Sequence, residues 1–183
     1  MKVVYLIGDG FRPEEYFYSK EVIEDAGIVV ETAGARKGRI PARDIPMQPK
    51  STESDFSFDD VNLDNYSCII VPGGSPGWIN LLKNDKVIQL IKEANEKGML
   101  VASICSSGAV IAKAGVLKDR KATIWPGQDD DIRKGRGVPV DADESFMGKT
   151  VVVKDKNIIT ANGPWASKAF GEAIADYLFK TFR

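Results

Sequence analysis

Compact apolar runs alternate along the chain with stretches in which apolar and polar residues are mixed. The compact runs are typical of strands that are buried on both faces of a sheet. We predict strands at residues 3–7, 28–32, 68–71, 99–104, 121–124, 151–153 and 158–160. The intervening stretches predict helices at residues 13–26, 77–82, 85–97, 106–114 and 165–180. Strands and helices therefore follow one another in alternation.

The ends of the first helix carry typical boundary residues. Pro13 suits the first helical turn, and Gly27 suits the position just after the last turn. Glu14 and Glu15 lie at the end where the helix dipole favours negative charge. Residues 34–64 have a different composition, because glycine and proline recur there and residues 50–60 are polar. We expect short strands and loops in that segment, without a core of their own.

Alternating strands and helices predict an α/β fold with a mostly parallel central sheet and helices on both faces, which is a three-layer sandwich. Residues 151–153 and 158–160 flank a short polar segment and are expected to form a hairpin. A chain of 183 residues is long enough to bury a core, and it shows no internal repeat. We expect a single domain that covers residues 1–183.

Composition excludes several classes of function. Hydrophobic residues make up 43% of the chain, and the net charge of −1 at pH 7 supplies no basic field for nucleic acid or anionic lipid. No apolar run approaches the ~20 residues that cross a bilayer. The run at residues 3–7 is short and lacks a cleavage site for a signal peptide. We therefore interpret it as a strand and expect a cytoplasmic protein without nucleic-acid or membrane partners.

Cysteine and histidine usage limits the chemistry. The two cysteines lie far apart, which without a secretion signal favours a reducing compartment over a disulfide. Neither cysteine has the spacing of a metal ligand, and the chain contains no histidine. We therefore expect no metal and no other cofactor. Because the usual general base is absent, catalysis would depend on a thiol, on carboxylates and on backbone amides.

Three predicted strands end in chemically unusual residues. These ends are Gly8–Gly10, Pro72–Gly74 and Cys105–Gly108. In open α/β sheets, ligands bind at the carboxyl ends of the strands, so these segments are expected to meet at one site. Cys105 would lie at a helix N-terminus, where free amides and the helix dipole stabilise a thiolate and lower the thiol pKa. The alternative is a buried core cysteine, which is what we expect of Cys68 in the middle of its strand.

Backbone amides near Cys105 could hold a developing oxyanion. Gly73 and Gly74 allow close approach of the backbone to a ligand, and the Ser106 amide could join them. The alternative is that the two glycines form only a tight turn after a strand. For Glu15, the sequence alone favours a surface acid that stabilises the helix dipole.

The order of these segments resembles the DJ-1/PfpI superfamily, which has the flavodoxin-like fold of class I glutamine amidotransferases, and in particular its PfpI-like branch. The matching segments are Lys2–Ile7 with Glu15, Ile69–Gly74, Val101–Cys105, Ala114–Thr123, Trp125–Asp130 and Asn162–Pro164. The resemblance implies that Cys105 is the nucleophile and that Glu15 contacts its sulfur. It also implies that Gly74 and Ser106 supply amide donors for an oxyanion.

The chain departs from the family pattern at positions that matter for peptide hydrolysis. PfpI-type peptidases have a histidine directly after the cysteine, and Ser106 occupies that position here. They also have a glutamate after the Gly-Gly turn, where this chain has Trp78, and some relatives have a histidine where it has Trp125. We expect the two tryptophans to wall a pocket that also includes Ser107, Asn162 and Gly163. The alternative is that both tryptophans belong to the core.

Three functions remain open at this point. The first is a cysteine-dependent enzyme that acts on small reactive carbonyls or their protein adducts, as a glyoxalase or deglycase does. The second is an intracellular cysteine peptidase, whose triad is incomplete here because Ser106 and Trp78 cannot exchange protons at neutral pH. The third is a redox sensor or stress chaperone of DJ-1 type, in which an exposed thiol is oxidised. The resemblance also implies a homo-oligomer, either a dimer or a larger ring.

Overall fold

The computed structural model describes residues 1–182 and contains six α-helices and eleven strands in that range. The helices are α1 (Pro13–Asp25), α2 (Gly77–Leu82), α3 (Asp85–Glu96), α4 (Gly108–Lys113), α5 (Asp129–Lys134) and α6 (Ser167–Thr181). The strands are β1 (Lys2–Leu6), β2 (Val29–Gly34), β3 (Gly38–Pro41), β4 (Ser51–Ser54), β5 (Phe56–Ser57), β6 (Cys68–Val71), β7 (Leu100–Ile104), β8 (Lys121–Ala122), β9 (Val138–Pro139), β10 (Val152–Asp155) and β11 (Ile158–Ala161).

Seven strands form the central sheet in the order β10-β11-β7-β6-β1-β2-β5. Every neighbouring pair is parallel except β10 and β11, which form the expected antiparallel hairpin at one edge. Strands β1, β6 and β7 lie side by side in the middle of the sheet. Their carboxyl ends therefore open onto the same edge, and the predicted α/β class with a mostly parallel sheet is confirmed.

Two hydrophobic clusters cover the two faces of the sheet, because alternate residues of each strand point to opposite sides. In β1, Val4 and Leu6 pack in one cluster with α3 and α4. Val3 and Tyr5 pack in the other cluster with α1 and α6. Gly171 lets α1 and α6 come close together, because a Cβ built on it would lie 2.8 Å from the carbonyl oxygen of Ser19. The sheet and the helices on its two faces therefore form three layers.

The segment at residues 34–64 forms the β3–β4 hairpin, the short edge strand β5 and two 3-10 turns. Its apolar residues Ile40, Phe58 and Leu63 are buried in the two main clusters. The expectation of short elements without a separate core is thus confirmed. The segment also reaches the carboxyl edge of the sheet, because Ala42 forms an isolated parallel bridge with Phe11.

Several element bounds differ from the sequence-based prediction by a few residues, and one α-helix was not predicted. The helix expected at 106–114 begins as a 3-10 turn at residues 105–107 and becomes α-helical only from Gly108. The short helix α5 was not predicted, because its six residues are too few to show a periodic pattern. Three acidic residues in its first turn and two basic residues in its last turn match the helix dipole. No α-helix within residues 1–182 has the length and hydrophobicity needed to span a bilayer.

Candidate active site around Cys105

Cys105 lies at the sharp turn between β7 and α4, with a backbone φ of +64°. A non-glycine residue in this left-handed region is uncommon and is held there by its surroundings. The geometry is that of a nucleophile elbow, in which a strand-to-helix turn presents one side chain at the edge of the sheet. Gly108 permits the turn to pack tightly, since a Cβ there would lie 2.8 Å from Ile124.

Ser107 holds this turn in place from inside the protein. Its hydroxyl lies 2.5 Å from the carbonyl oxygen of Val71 and 2.6 Å from that of Ile104, and it can donate to either. It also accepts a hydrogen bond from the Ile104 amide at 3.3 Å. Ser107 is fully buried and does not line the cavity beside Cys105. The expectation that Ser107 contributes to the pocket is therefore wrong, because its hydroxyl is used to connect β6 to β7.

Glu15 is completely buried in the first turn of α1, so the interpretation of this residue as a surface acid is wrong. The Gly73 amide donates a hydrogen bond of 2.8 Å to its Oε2 atom. Its Oε1 atom makes no hydrogen bond of ordinary geometry within residues 1–182. The carboxyl group is close enough to the Cys105 thiol for each to shift the pKa of the other. Glu15 thus lies where the family resemblance implies.

Burial raises the pKa of Glu15 from 4.5 to about 7. The Cys105 thiol, the Gly73 amide and the Arg12 charge oppose this rise but do not cancel it. Desolvation disfavours the charged form of a carboxyl group, which explains the direction. Near neutral pH, the Glu15 carboxyl can therefore both hold and release a proton.

Burial also raises the pKa of the Cys105 thiol, and the adjacent Glu15 carboxyl raises it further. Only the backbone amide and the hydroxyl of Ser106 lower it. The prediction that the position of Cys105 at a helix N-terminus lowers its thiol pKa is therefore wrong. The physical reason is that Cys105 is only 4% exposed, so that the free-energy cost of desolvating a thiolate exceeds its stabilisation by the nearby amides.

Gly73 and Gly74 each fill a different structural role. A Cβ on Gly73 would lie 2.9 Å from both the Cβ of Cys105 and the Oε2 of Glu15, so only glycine fits between them. Because the Gly73 amide already bonds to Glu15, it is not free for an oxyanion. Gly74 has a φ of +92°, and a Cβ on it would lie 2.2 Å from the backbone nitrogen of Arg12, so a larger residue would clash there.

A cavity of about 310 Å³ opens beside the thiol. The residues singled out in the sequence that line it are Gly74, Trp78, Cys105, Ser106 and Trp125. Sequence reasoning missed its other lining residues, which are Arg12, Arg43, Ser75 and Gln128. Arg12 could have been found, because it follows the carboxyl end of β1. Arg43 gave no such signal, since it comes from the irregular segment at residues 34–64.

Asn162 and Gly163 lie outside the lining of this cavity, and their assignment to the pocket is wrong. The Asn162 amide nitrogen donates to the Lys149 carbonyl at 2.8 Å, and its oxygen accepts from the Val151 amide at 3.1 Å. It thereby fixes the loop before β10. Trp165 packs against Trp125 with their ring centroids 5.4 Å apart, so this region supports the tryptophan wall from behind.

Trp78 also lines a second cavity of about 380 Å³ between α2, α4 and α5. Its polar lining residues are Lys113, Asp131 and Lys134, and no cysteine, serine or threonine lines it. Within residues 1–182, no cluster of three or more histidine, cysteine, aspartate or glutamate residues is arranged to hold a metal ion. Cys68 is fully buried in β6, and burial raises its thiol pKa. The reactive groups are therefore concentrated at Cys105.

Comparison with known proteins gives a consistent result. The sequence profile of the DJ-1/PfpI family matches residues 1–177. An uncharacterised protein of Methanocaldococcus jannaschii is 33% identical over 163 residues, covering 88% of this chain and 74% of the relative. A deglycase of Thermococcus kodakarensis is 32% identical over 165 residues, covering 90% of this chain and 91% of the relative. The crystal structure of a ThiJ/PfpI domain protein from Brachyspira murdochii is 28% identical and has a TM-score of 0.85, covering 98% and 96% of the two chains.

Proposed function

This chain belongs to the DJ-1/PfpI family, and from that membership we propose that it is a cysteine-dependent enzyme acting on small reactive carbonyls or on their protein adducts. The observation that carries the proposal is the buried pair of Glu15 and Cys105 at the mouth of a cavity. Relatives that cover most of the chain are named deglycases, including proteins from Thermococcus kodakarensis and Pyrococcus furiosus. Their names support carbonyl adducts as the substrate class.

The first step depends on how the Glu15–Cys105 pair shares its protons. Two negative charges in one buried site repel each other, so the pair retains one proton over a broad pH range. Of the two arrangements, a thiolate beside a protonated Glu15 is the reactive one. In that state the carboxyl donates toward sulfur, and the Ser106 amide supports the negative charge, since it lowers the thiol pKa. No histidine is required for this arrangement.

With methylglyoxal as substrate, the thiolate sulfur adds to the aldehyde carbon and the carbonyl electron pair moves to oxygen. The Gly74 and Ser106 amides face this oxygen in our proposal, and protonated Glu15 supplies the proton that gives a hemithioacetal. Glu15, now ionised, takes a proton from the former aldehyde carbon and returns it to the neighbouring ketone carbon, while the hydroxyl proton of the hemithioacetal passes to the ketone oxygen. The first carbon is thereby oxidised, the second is reduced, and a thioester forms. Water hydrolyses the thioester to lactate and frees the thiol.

Peptide hydrolysis receives less support from the same residues. An amide leaving group needs a proton from an acid, and the histidine that follows the cysteine in the family's peptidases is replaced here by Ser106. Trp78, which stands where the family's peptidases have a glutamate, contributes only an indole wall to the cavity. The deglycase names of relatives that cover most of the chain favour carbonyl chemistry over a redox-sensing role. We therefore retain the carbonyl chemistry alone.

The test measures lactate formed from methylglyoxal by the wild-type protein, by Cys105→Ser and by Cys68→Ser. We expect loss of at least about 100-fold in kcat for Cys105→Ser, because the nucleophile is removed. Cys68→Ser is the matched control, since it changes the other cysteine, which lies within β6. Equal rates in wild type and Cys105→Ser would refute the proposal, as would an equal loss in both variants.

A further inference from the structure

Two arginines, Arg12 and Arg43, are among the residues that line the cavity beside Cys105, and Arg43 is exposed at its rim. Arg12 is partly neutralised, because its Nε and Nη2 atoms each lie 3.3 Å from a Glu14 carboxylate oxygen. Arg43 makes no ion pair and no side-chain hydrogen bond with any other residue in the range 1–182. The adjacent acid, Asp44, is paired with Lys50 instead. The cavity therefore carries one cation that no carboxylate of residues 1–182 offsets.

Backbone hydrogen bonds join the segment between β1 and α1, which contains Arg12, to the turn after β6 and to the backbone of Arg43. The Arg12 amide donates to the Gly73 carbonyl at 2.9 Å, which ties it to the turn that holds Glu15. The Arg43 amide donates to the Phe11 carbonyl at 2.8 Å, next to the bridge between Phe11 and Ala42. Although Arg43 comes from an irregular segment, its backbone is thus anchored at the rim of the cavity. A fixed backbone at position 43 reduces the entropy that is lost when this segment binds a ligand.

A third polar group points to a ligand in the same cavity. The Gln128 Oε1 atom is buried and has no hydrogen-bond partner within residues 1–182. Gln128 lines the cavity with Arg12 and Arg43. An unsatisfied buried amide costs free energy until a partner arrives, and its carboxamide can accept from or donate to a polar substrate. Polar groups converge on this cavity, although two tryptophans also wall it.

We propose that the substrate is an anionic 2-oxoaldehyde, whose carboxylate binds Arg43 and the outer face of Arg12 while its aldehyde reaches Cys105. This inference rests on the proposed function and narrows its substrate class. One negative charge is shared by the Glu15–Cys105 pair, and Glu14 offsets Arg12, so a single carboxylate on the substrate would neutralise Arg43. Arginine presents a planar array of donors that suits a carboxylate.

The reaction balances without any further reagent. For 4,5-dioxopentanoate, the thiolate adds to the aldehyde carbon and the oxygen formed there takes the Glu15 proton. The proton on that carbon then moves through Glu15 to the adjacent ketone carbon, while the new hydroxyl proton passes to the ketone oxygen. The aldehyde carbon becomes a thioester and the ketone becomes an alcohol, so oxidation and reduction occur within one molecule. Water cleaves the thioester and releases 2-hydroxyglutarate. The distal carboxylate takes no part in bond making and serves only to bind the arginines.

The first experiment compares kcat/KM for 4,5-dioxopentanoate with kcat/KM for neutral methylglyoxal. We expect wild type to prefer the anion and Arg43→Met to reduce this preference about tenfold or more, mainly through KM. Arg43→Lys should restore part of it. Arg39→Met is the matched control, because it removes the same charge from an exposed residue of β3 that does not line the cavity. An unchanged preference in Arg43→Met would overturn the inference, while methylglyoxal turnover would leave the proposed function intact.

The second experiment does not depend on turnover. Iodoacetate and iodoacetamide alkylate the same thiol and differ in charge, so the ratio of their rates at Cys105 reports the local field. We expect Arg43→Met to lower the ratio of iodoacetate to iodoacetamide about fivefold or more, and Arg39→Met to leave it unchanged. An equal ratio in all three proteins would refute the anion site. If neither carbonyl substrate is turned over, the proposed function fails and this ratio alone decides the anion site.

Discussion

Replacing Glu15 with glutamine is expected to remove a large part of the pH dependence of stability. The folded protein holds the Glu15 pKa at about 7, against 4.5 for an unperturbed glutamate. Between these two values the folded state binds more protons than the unfolded state, so the free energy of unfolding falls as pH rises. Below the unfolded pKa both states are protonated, and the penalty is absent. Above about pH 7 the penalty is complete.

The size of this effect follows from the two pKa values. A difference of 2.5 between 4.5 and about 7 corresponds to roughly 3 kcal/mol, of which roughly 2 to 3 kcal/mol develops between pH 5 and pH 8. Glu15→Gln keeps the size of the side chain and an oxygen that can accept from the Gly73 amide, but it cannot ionise. From pH 5 to pH 8, the free energy of unfolding of wild type should therefore fall by roughly 2 to 3 kcal/mol more than that of Glu15→Gln.

Urea unfolding at pH 5 and pH 8 provides the measurement, with the change between the two pH values compared among variants. Glu21→Gln is the matched control, because it changes an exposed glutamate on the same helix. The remaining acids, including those with lowered pKa values such as Glu31, are common to all three proteins and cancel in the comparison. An identical pH dependence in wild type and Glu15→Gln would show that Glu15 does not titrate near neutrality, and the proposed proton sharing would fail.

Two further predictions concern stability at fixed pH and are checked by urea unfolding. Ser107→Ala should lower the free energy of unfolding by about 1 to 3 kcal/mol, because it leaves the Ile104 amide without its hydroxyl acceptor. Ser103→Ala should leave the free energy of unfolding nearly unchanged, because the buried Ser103 hydroxyl has no partner within residues 1–182. Equal costs would contradict this reasoning. Gly171→Ala should lower the free energy of unfolding by about 1 kcal/mol or more, because the clash of a Cβ 2.8 Å from the Ser19 carbonyl oxygen costs more than the gain in helix propensity. A stabilised variant would refute the close packing of α1 on α6.

Much of the fold could be predicted from local patterns. The strand at Cys68–Val71 and the helix at Gly77–Leu82 have the predicted bounds, because a compact apolar run and its flanking glycines are local signals. The short helix α5 could not be predicted, since six residues show no periodicity. The elbow was also predictable in part, because Cys105 follows a buried strand and precedes small residues. Its left-handed φ was not, as it depends on the bonds that Ser107 makes to neighbouring strands.

By itself, the sequence determined the order of strands and helices, the absence of histidine chemistry and the choice of Cys105 as the nucleophile candidate. Only the tertiary structure decided the environment of that thiol. Glu15 looked like a surface acid because the first turn of a helix is usually exposed, yet the packing of α1 against the β6 turn buries it beside sulfur. Likewise, Arg43 reaches the cavity through a backbone bond to Phe11. Burial and proximity depend on contacts between distant segments, and these contacts set the charges at the site.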